Sequence, residues 1–163
     1  MPERGKARTL VARDEGDDAY GVVIKLYGED TNGAISIIEQ PFEPGFLLPP
    51  HVHENDVWLY VLAGEMHARV GDEVVKATPG CWVLKPRRIP HTMWNAGHEP
   101  ARIIELYTPG GFERFFEDFG ARLGQGPIGL DELNRLGQPH GIRFFDDWIP
   151  NLKEAYNLRL IGE

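Results

Sequence analysis

The sequence predicts an all-β fold, an antiparallel sandwich or barrel, with short helices at its C-terminal end. Three observations carry that expectation. Short apolar runs rich in Val, Ile and aromatic side chains recur between Tyr20 and Thr108 at the roughly 8–12-residue spacing of sandwiches and barrels. Gly and Pro, 19 and 13 of 163 residues, punctuate the chain without repeating, which favours many short elements over a few long helices. Beyond Pro109 the apolar spacing lengthens to that of a helix.

The expected strands cover residues 22–26, 34–38, 57–62, 66–70, 74–77, 82–84 and 103–107. Each but the last, which closes the series, ends in turn chemistry: Gly28 to Gly33, Pro41 to Pro50, Ala63-Gly64-Glu65, Gly71-Asp72-Glu73, Thr78-Pro79-Gly80, and Pro86 to Pro90. No helix is expected before residue 109. After Pro109-Gly110-Gly111, Phe112, Phe115, Phe116, Phe119 and Leu123 fall on one helical stripe, with Gly124 at the C-terminal cap position. Packing against the sheets explains such a stripe better than an aromatic ligand box. A second helix is expected over 130–136, between Asp131 and Gly137, while the last twenty residues give no clear pattern.

A chain of this length forms one domain, here divided into an N-terminal segment (1–19), a barrel (20–108) and a C-terminal helical extension (109–163). Acidic residues outnumber basic ones by 25 to 17, a net charge of −8, which disfavours a nucleic-acid partner. The single cysteine, Cys81, closes no intrachain disulfide and suits a reducing cytoplasm. Met1-Pro2-Glu3-Arg4-Gly5-Lys6 mixes charges without a following apolar run, so no export signal is expected. No membrane span is expected either.

His51 and His53 are one residue apart, and on a strand such side chains project to the same face. His91 follows forty residues later, where a hairpin-rich fold can return it beside them. Three neutral imidazoles bind Fe, Ni, Cu or Zn and leave positions open for water or substrate. By parity His51, His53, Val57 and Leu59 share one face, while Asp56, Trp58 and Tyr60 share the other.

Gly45, five residues, His51-Val52-His53, then Gly64 eleven residues on resembles the first motif of the cupin family. Gly80, five residues, Pro86, then His91 and Asn95 resembles the second. The resemblance implies a double-stranded β-helix, the jelly-roll barrel, usually dimeric, with a metal held inside by three His and one Glu. Val57 stands where the family's Glu falls, and Arg88 replaces a turn Gly. A three-His cupin subgroup without that Glu includes oxygen-using members, and resemblance to them implies dioxygenase chemistry.

A divalent ion on three neutral ligands keeps its full charge and favours an anionic chelating substrate. The expectation is an Fe(II) dioxygenase-like oxidoreductase acting on a small anionic metabolite, with Mn, Ni or Zn as other ions and no organic cofactor. A non-catalytic binding cupin and a non-oxidative isomerase or decarboxylase are the alternatives. The metal candidates are His51, His53 and His91; Asn95, Met93, Val57 and Arg88 are candidate substrate contacts; no catalytic residue is assigned. Asn95 is expected to hydrogen-bond in the barrel mouth or to cap a turn, and Lys85 to face an anion or reach the rim. Arg87 and Arg88 either steer an anion or sit in an exposed loop. Asp56 replaces the carboxylate only through a bulge, and Glu54 is no better placed. His67, His98 and His140 are read as non-ligands. Trp58, Tyr60 and Trp94 are expected to face away from the ion, towards an outer sheet or a homodimer partner.

Overall fold

The computed structural model describes residues 9–163; the opening residues, on which the export-signal reading falls, lie outside the described part. Strands β1 (Asp17–Ala19), β2 (Val22–Leu26) and β3 (Ser36–Phe42) lead into two short pieces, β4 (Phe46–Leu47) and β5 (His51–Val52). There follow β6 (Asp56–Ala63), β7 (Met66–Val70), β8 (Glu73–Ala77), β9 (Trp82–Lys85), β10 (His91–Trp94) and β11 (Ala101–Thr108). The C-terminal part holds α1 (Glu113–Leu123), α2 (Leu130–Gly137), β12 (Arg143–Phe144), α3 (Ile149–Tyr156) and β13 (Arg159–Leu160).

Two sheets face each other. The first runs β1-β2-β3-β11-β6-β9. In the second, β10 is central, bordered by β7 and β8 on one edge and by β4 and β5 on the other. Leu48-Pro49-Pro50 separates β4 from β5, because proline has no N–H for the ladder and fixes its own φ. The result is the all-β jelly-roll expected from the sequence, with short helices after it.

Alternation sets the two faces of each strand. In β6, Val57, Leu59 and Val61 are buried while Trp58 and Leu62 are exposed, the parity expected from the sequence. Leu59 and Val61 join Met66, Ala68, Met93 and Ile103 in one core, and Val57 joins Tyr107, Phe112 and Phe115 in another. Before residue 109 there is no α-helix among the described residues, but Gly28–Thr31 forms a single 3-10 turn.

The segment after β11 is more than a helical extension. Its strand β12 pairs with β5, and β13 runs parallel to β4, so the chain's last residues complete the second sheet. Trp94 is fully buried under this segment, its ring 4.9 Å from Tyr156, within a core that includes Leu47, Leu152 and Leu158. Helix α1 is anchored at its first residue: Glu113 is buried and accepts the Gly28 N–H at 2.7 Å and the Gly111 N–H at 2.8 Å. A Cβ on Gly110 would lie 2.6 Å from the Gly28 Cα, so glycine permits the close approach that lays α1 over the barrel.

Candidate metal centre

The register of the second sheet brings the histidines together. His91 on β10 stands directly opposite His51 on β5, and His53 follows one residue after β5 ends. Ring centroids are 4.4 Å apart for His51 and His91, 4.8 Å for His53 and His91, and 5.4 Å for His51 and His53. One ring nitrogen from each lies within 4.8 Å of the others. All three side chains are buried.

Two of the rings are oriented by the same local device. Pro50 precedes His51 and Pro90 precedes His91, and a residue before proline is held extended. In each case the imidazole Nδ1 reaches back two residues to a backbone carbonyl, Pro49 O at 2.8 Å and Ile89 O at 2.9 Å. A carbonyl only accepts, so Nδ1 carries the proton and Nε2 presents its lone pair. This is the usual support of a metal-binding imidazole. The Nε2 of His91 is buried without a hydrogen-bond partner among the described residues, the state expected of an atom shaped for an ion. His53 differs: its Nδ1 accepts the Asn55 N–H at 3.4 Å, a long contact that must yield for Nε2 to ligate.

Burial keeps the imidazoles neutral. It pushes His51 down to about 3 despite the Pro49 carbonyl, and it pushes His53 down to about 3 with the help of charge on His51 and Lys85. His91 is driven well below its ordinary value, again chiefly by burial. A neutral ring is the ligating form.

Beside the rings lies a cavity of about 230 Å3, lined by His51, Lys85, Met93, Glu105, Tyr107 and the phenylalanines of α1. The Phe112 ring is 5.0 Å from that of His53, and Phe144 is 5.5 Å from His51. The phenylalanine stripe thus packs the core as expected and also walls the cavity.

Val57 is fully buried, and across the sheet its neighbours are Lys85 on β9 and Tyr107 on β11. Where a motif carboxylate would stand, an aliphatic side chain is therefore bracketed by an amine and a phenol. Lys85 does not reach the rim; it is 2% exposed and donates to Glu105 Oε2 at 2.6 Å. Glu105 also accepts from Gln40 Nε2 at 3.1 Å and from Tyr107 Oη at 3.3 Å. Burial, and then the Glu105 charge, raise Tyr107 well above an ordinary phenol. The sequence reading missed Glu105, although Ile103, Glu105 and Tyr107 alternate inward along one strand.

Of the four candidate substrate contacts, Met93 lines the cavity. Asn95 faces a turn: its Nδ2 donates to the Phe42 and Glu99 carbonyls and its Oδ1 accepts the Gly97 N–H. Arg88 points outward, 74% exposed, and pairs with Glu54 at 2.8 Å. Its backbone adopts φ 64°, the conformation a turn glycine would take without strain. Asp56 holds the exposed Arg87 guanidinium at 2.9 Å and is no ligand. His67 stacks on Trp94, His140 pairs with Asp118, and His98 is exposed. Trp58 is exposed on the outer face as expected, whereas Trp94 is covered by the chain's own C-terminal segment.

The model of a family described as "Cupin domain" matches residues 39–107. No curated protein matches the chain. Among solved structures, the TT1209 protein of Thermus thermophilus is 31% identical over 47% of this chain and 74% of its own, with a TM-score of 0.45. KdgF from Halomonas sp. is 18% identical, covers 66% of this chain and 99% of its own, and superposes with a TM-score of 0.56. A predicted oxalate decarboxylase from Thermotoga maritima is 19% identical over 54% of this chain and 78% of its own, with a TM-score of 0.51. The last two share the fold. Both histidine-bearing segments lie inside the matched region, and residues 39–107 of the jelly-roll are a cupin domain.

Proposed function

We propose that this protein is a metal-dependent enzyme in which His51, His53 and His91 hold a divalent ion, Fe(II) in the first place, and that it oxidises a small anionic metabolite with dioxygen. The carrying observation is the His91 Nε2 atom, buried and unpartnered beside two further neutral imidazoles. The donor set fits a first-row divalent ion, Mn, Ni and Zn included. When bound, Fe(II) supplies dioxygen activation and the Lewis acidity that holds a chelating anion. The chain's residues do the rest. His51 and His91 stay fixed through Pro49 and Ile89. Phe112 and Phe144 keep water from the rings, and the absence of a carboxylate at position 57 leaves the ion's charge for the substrate.

A second reading is favoured by Lys85, Glu105 and Tyr107, two proton donors and a carboxylate on one cavity wall. Such a set suits a non-oxidative isomerase or decarboxylase. Elemental analysis of protein purified without added metal, then oxygen uptake after anaerobic Fe(II) loading, separates the readings. Substrate-dependent uptake supports the first, and a retained ion without uptake supports the second. If reconstituted protein holds no ion, the barrel is a binding module. His53→Ala should abolish metal retention while leaving thermal unfolding largely intact; unchanged metal content removes the assignment.

A homodimer is expected through the outer face of β6 and β9, where Trp58, Leu62, Trp82 and Leu84 are 40–54% exposed. Sedimentation tests it. The exposed thiol of Cys81 suits a reducing compartment. Among the described residues no helix is long and apolar enough to cross a membrane.

A further inference from the structure

The cavity beside the imidazoles is small and chemically lopsided. Its volume of about 230 Å3 is below the roughly 300–1,000 Å3 of sites for drug-sized ligands. At about 30 Å3 per water-sized group, it holds about eight such groups, the scale of a small metabolite. Phe112, Phe116, Phe119 and Phe144 give it apolar walls, and its polar groups are Gln40, Lys85, Glu105 and the hydroxyls of Tyr20 and Tyr107 beside His51. A sugar would leave hydroxyls unpaired against phenyl rings, at a cost for each.

Within the buried ion pair the two partners are unequally satisfied. Glu105 receives Lys85, Gln40 and Tyr107. Lys85 has three N–H donors to place, yet among the described residues its one oxygen acceptor is Glu105 Oε2; its other contact is Met93 Sδ at 3.9 Å, a weak acceptor. Three of the carboxylate's roughly four acceptor sites are taken, whereas the ammonium has placed one of its three donors on oxygen. Donors left over on a buried cation facing a cavity call for an anionic acceptor.

We propose that the cavity binds a compact monocarboxylate with an aryl or branched-alkyl body, its carboxylate taking the remaining Lys85 donors and its body lying against the phenylalanines. As a statement about the substrate this rests on the proposed function; as a statement about a ligand it stands on the cavity alone. Lys85 is then the residue that selects for charge, and Phe116 one that selects for an apolar body.

The test is calorimetric titration of metal-free wild-type protein with phenylacetate and with phenylacetamide, which has the same shape and no charge. The acid should bind at least about tenfold more tightly, a difference of about 1.4 kcal/mol. In Lys85→Met/Glu105→Gln, which removes both buried charges, the acid and the amide should bind alike. Phe116→Ala should weaken both together. Equal binding by wild type, no binding of either probe at up to about 10 mM, or a preference that survives in the double variant overturns the proposal. The wild-type ratio decides the matter by itself if the double variant does not fold. Metal content of the same preparations separates this inference from the function: an ion without acid preference removes the inference alone. Acid preference in protein that never retains an ion removes the function alone.

Discussion

Lys85 and Glu105 are each 2% exposed and 2.6 Å apart, so removing one charge strands the other. Breaking a buried pair costs about 3–5 kcal/mol. Lys85→Met leaves Glu105 with the Gln40 amide and the Tyr107 hydroxyl, two neutral donors that recover part of the loss, so it falls near about 3 kcal/mol. Glu105→Gln leaves Lys85 with an amide oxygen and the Met93 sulfur and falls near about 5 kcal/mol. In a domain of this size each kcal/mol lowers Tm by about 2–4 °C, giving losses of about 6–12 and about 10–20 °C. The double variant carries no buried charge and should be more stable than either single one, within about 1–2 kcal/mol of wild type. Urea unfolding of metal-free protein, followed by far-UV circular dichroism, measures all four corners. A double variant as unstable as the sum of the singles, or a Lys85→Met loss below about 1 kcal/mol, refutes the account of the pair.

Three more outcomes are expected. The three histidines have folded-state values below the unfolded value, His51 and His53 at about 3. The unfolded chain therefore takes up protons first as pH falls below about 6.5. Metal-free protein should keep this contribution fully above that pH and lose it towards pH 3, by up to about 1.4 kcal/mol per pH unit per histidine. His91→Gln should flatten the urea-midpoint profile between pH 7 and pH 5, and an unchanged slope would contradict the burial argument. Val57→Glu should tighten metal binding while costing metal-free protein about 1–3 kcal/mol in packing; a more weakly held ion would show that this position does not face the imidazoles. At residue 88, Gly should be more stable than Ala by about 1 kcal/mol, since both lose the Glu54 contact and only Ala carries a Cβ against the φ of 64°. Equal midpoints in urea would mean the turn relaxes.

The barrel is legible in the sequence because its strands recur as short apolar runs between turn residues, and the two histidine segments are legible because parity and spacing are local properties. Trp58 and Tyr60 point outward from Val57 and Leu59 for the same reason. Strands β4, β5, β12 and β13 are two residues each, too short to show a period, and they form only because β10 or its neighbours offer an edge. The burial of Lys85 is not legible, because its partner lies twenty residues away on a strand that is not adjacent in sequence. Glu105 escapes notice for the same reason: a carboxylate in an apolar strand makes sense once Lys85, Gln40 and Tyr107 are seen around it. For Asn95 the sequence leaves a barrel-mouth contact and a turn cap equally open; in the structure both Nδ2 donors and Oδ1 bond to the backbone of a turn.

The two Pro-His steps have a further consequence. Because the Pro49 and Ile89 carbonyls hold the His51 and His91 rings through the chain's own backbone, this part of the site is shaped during folding and not by its guest. Such a frame tolerates exchange of one cation for another without remodelling. Which ion is found there would then follow cellular supply and the order of loading, so protein isolated from two growth media should differ in metal content while keeping the same stability to urea in chelator.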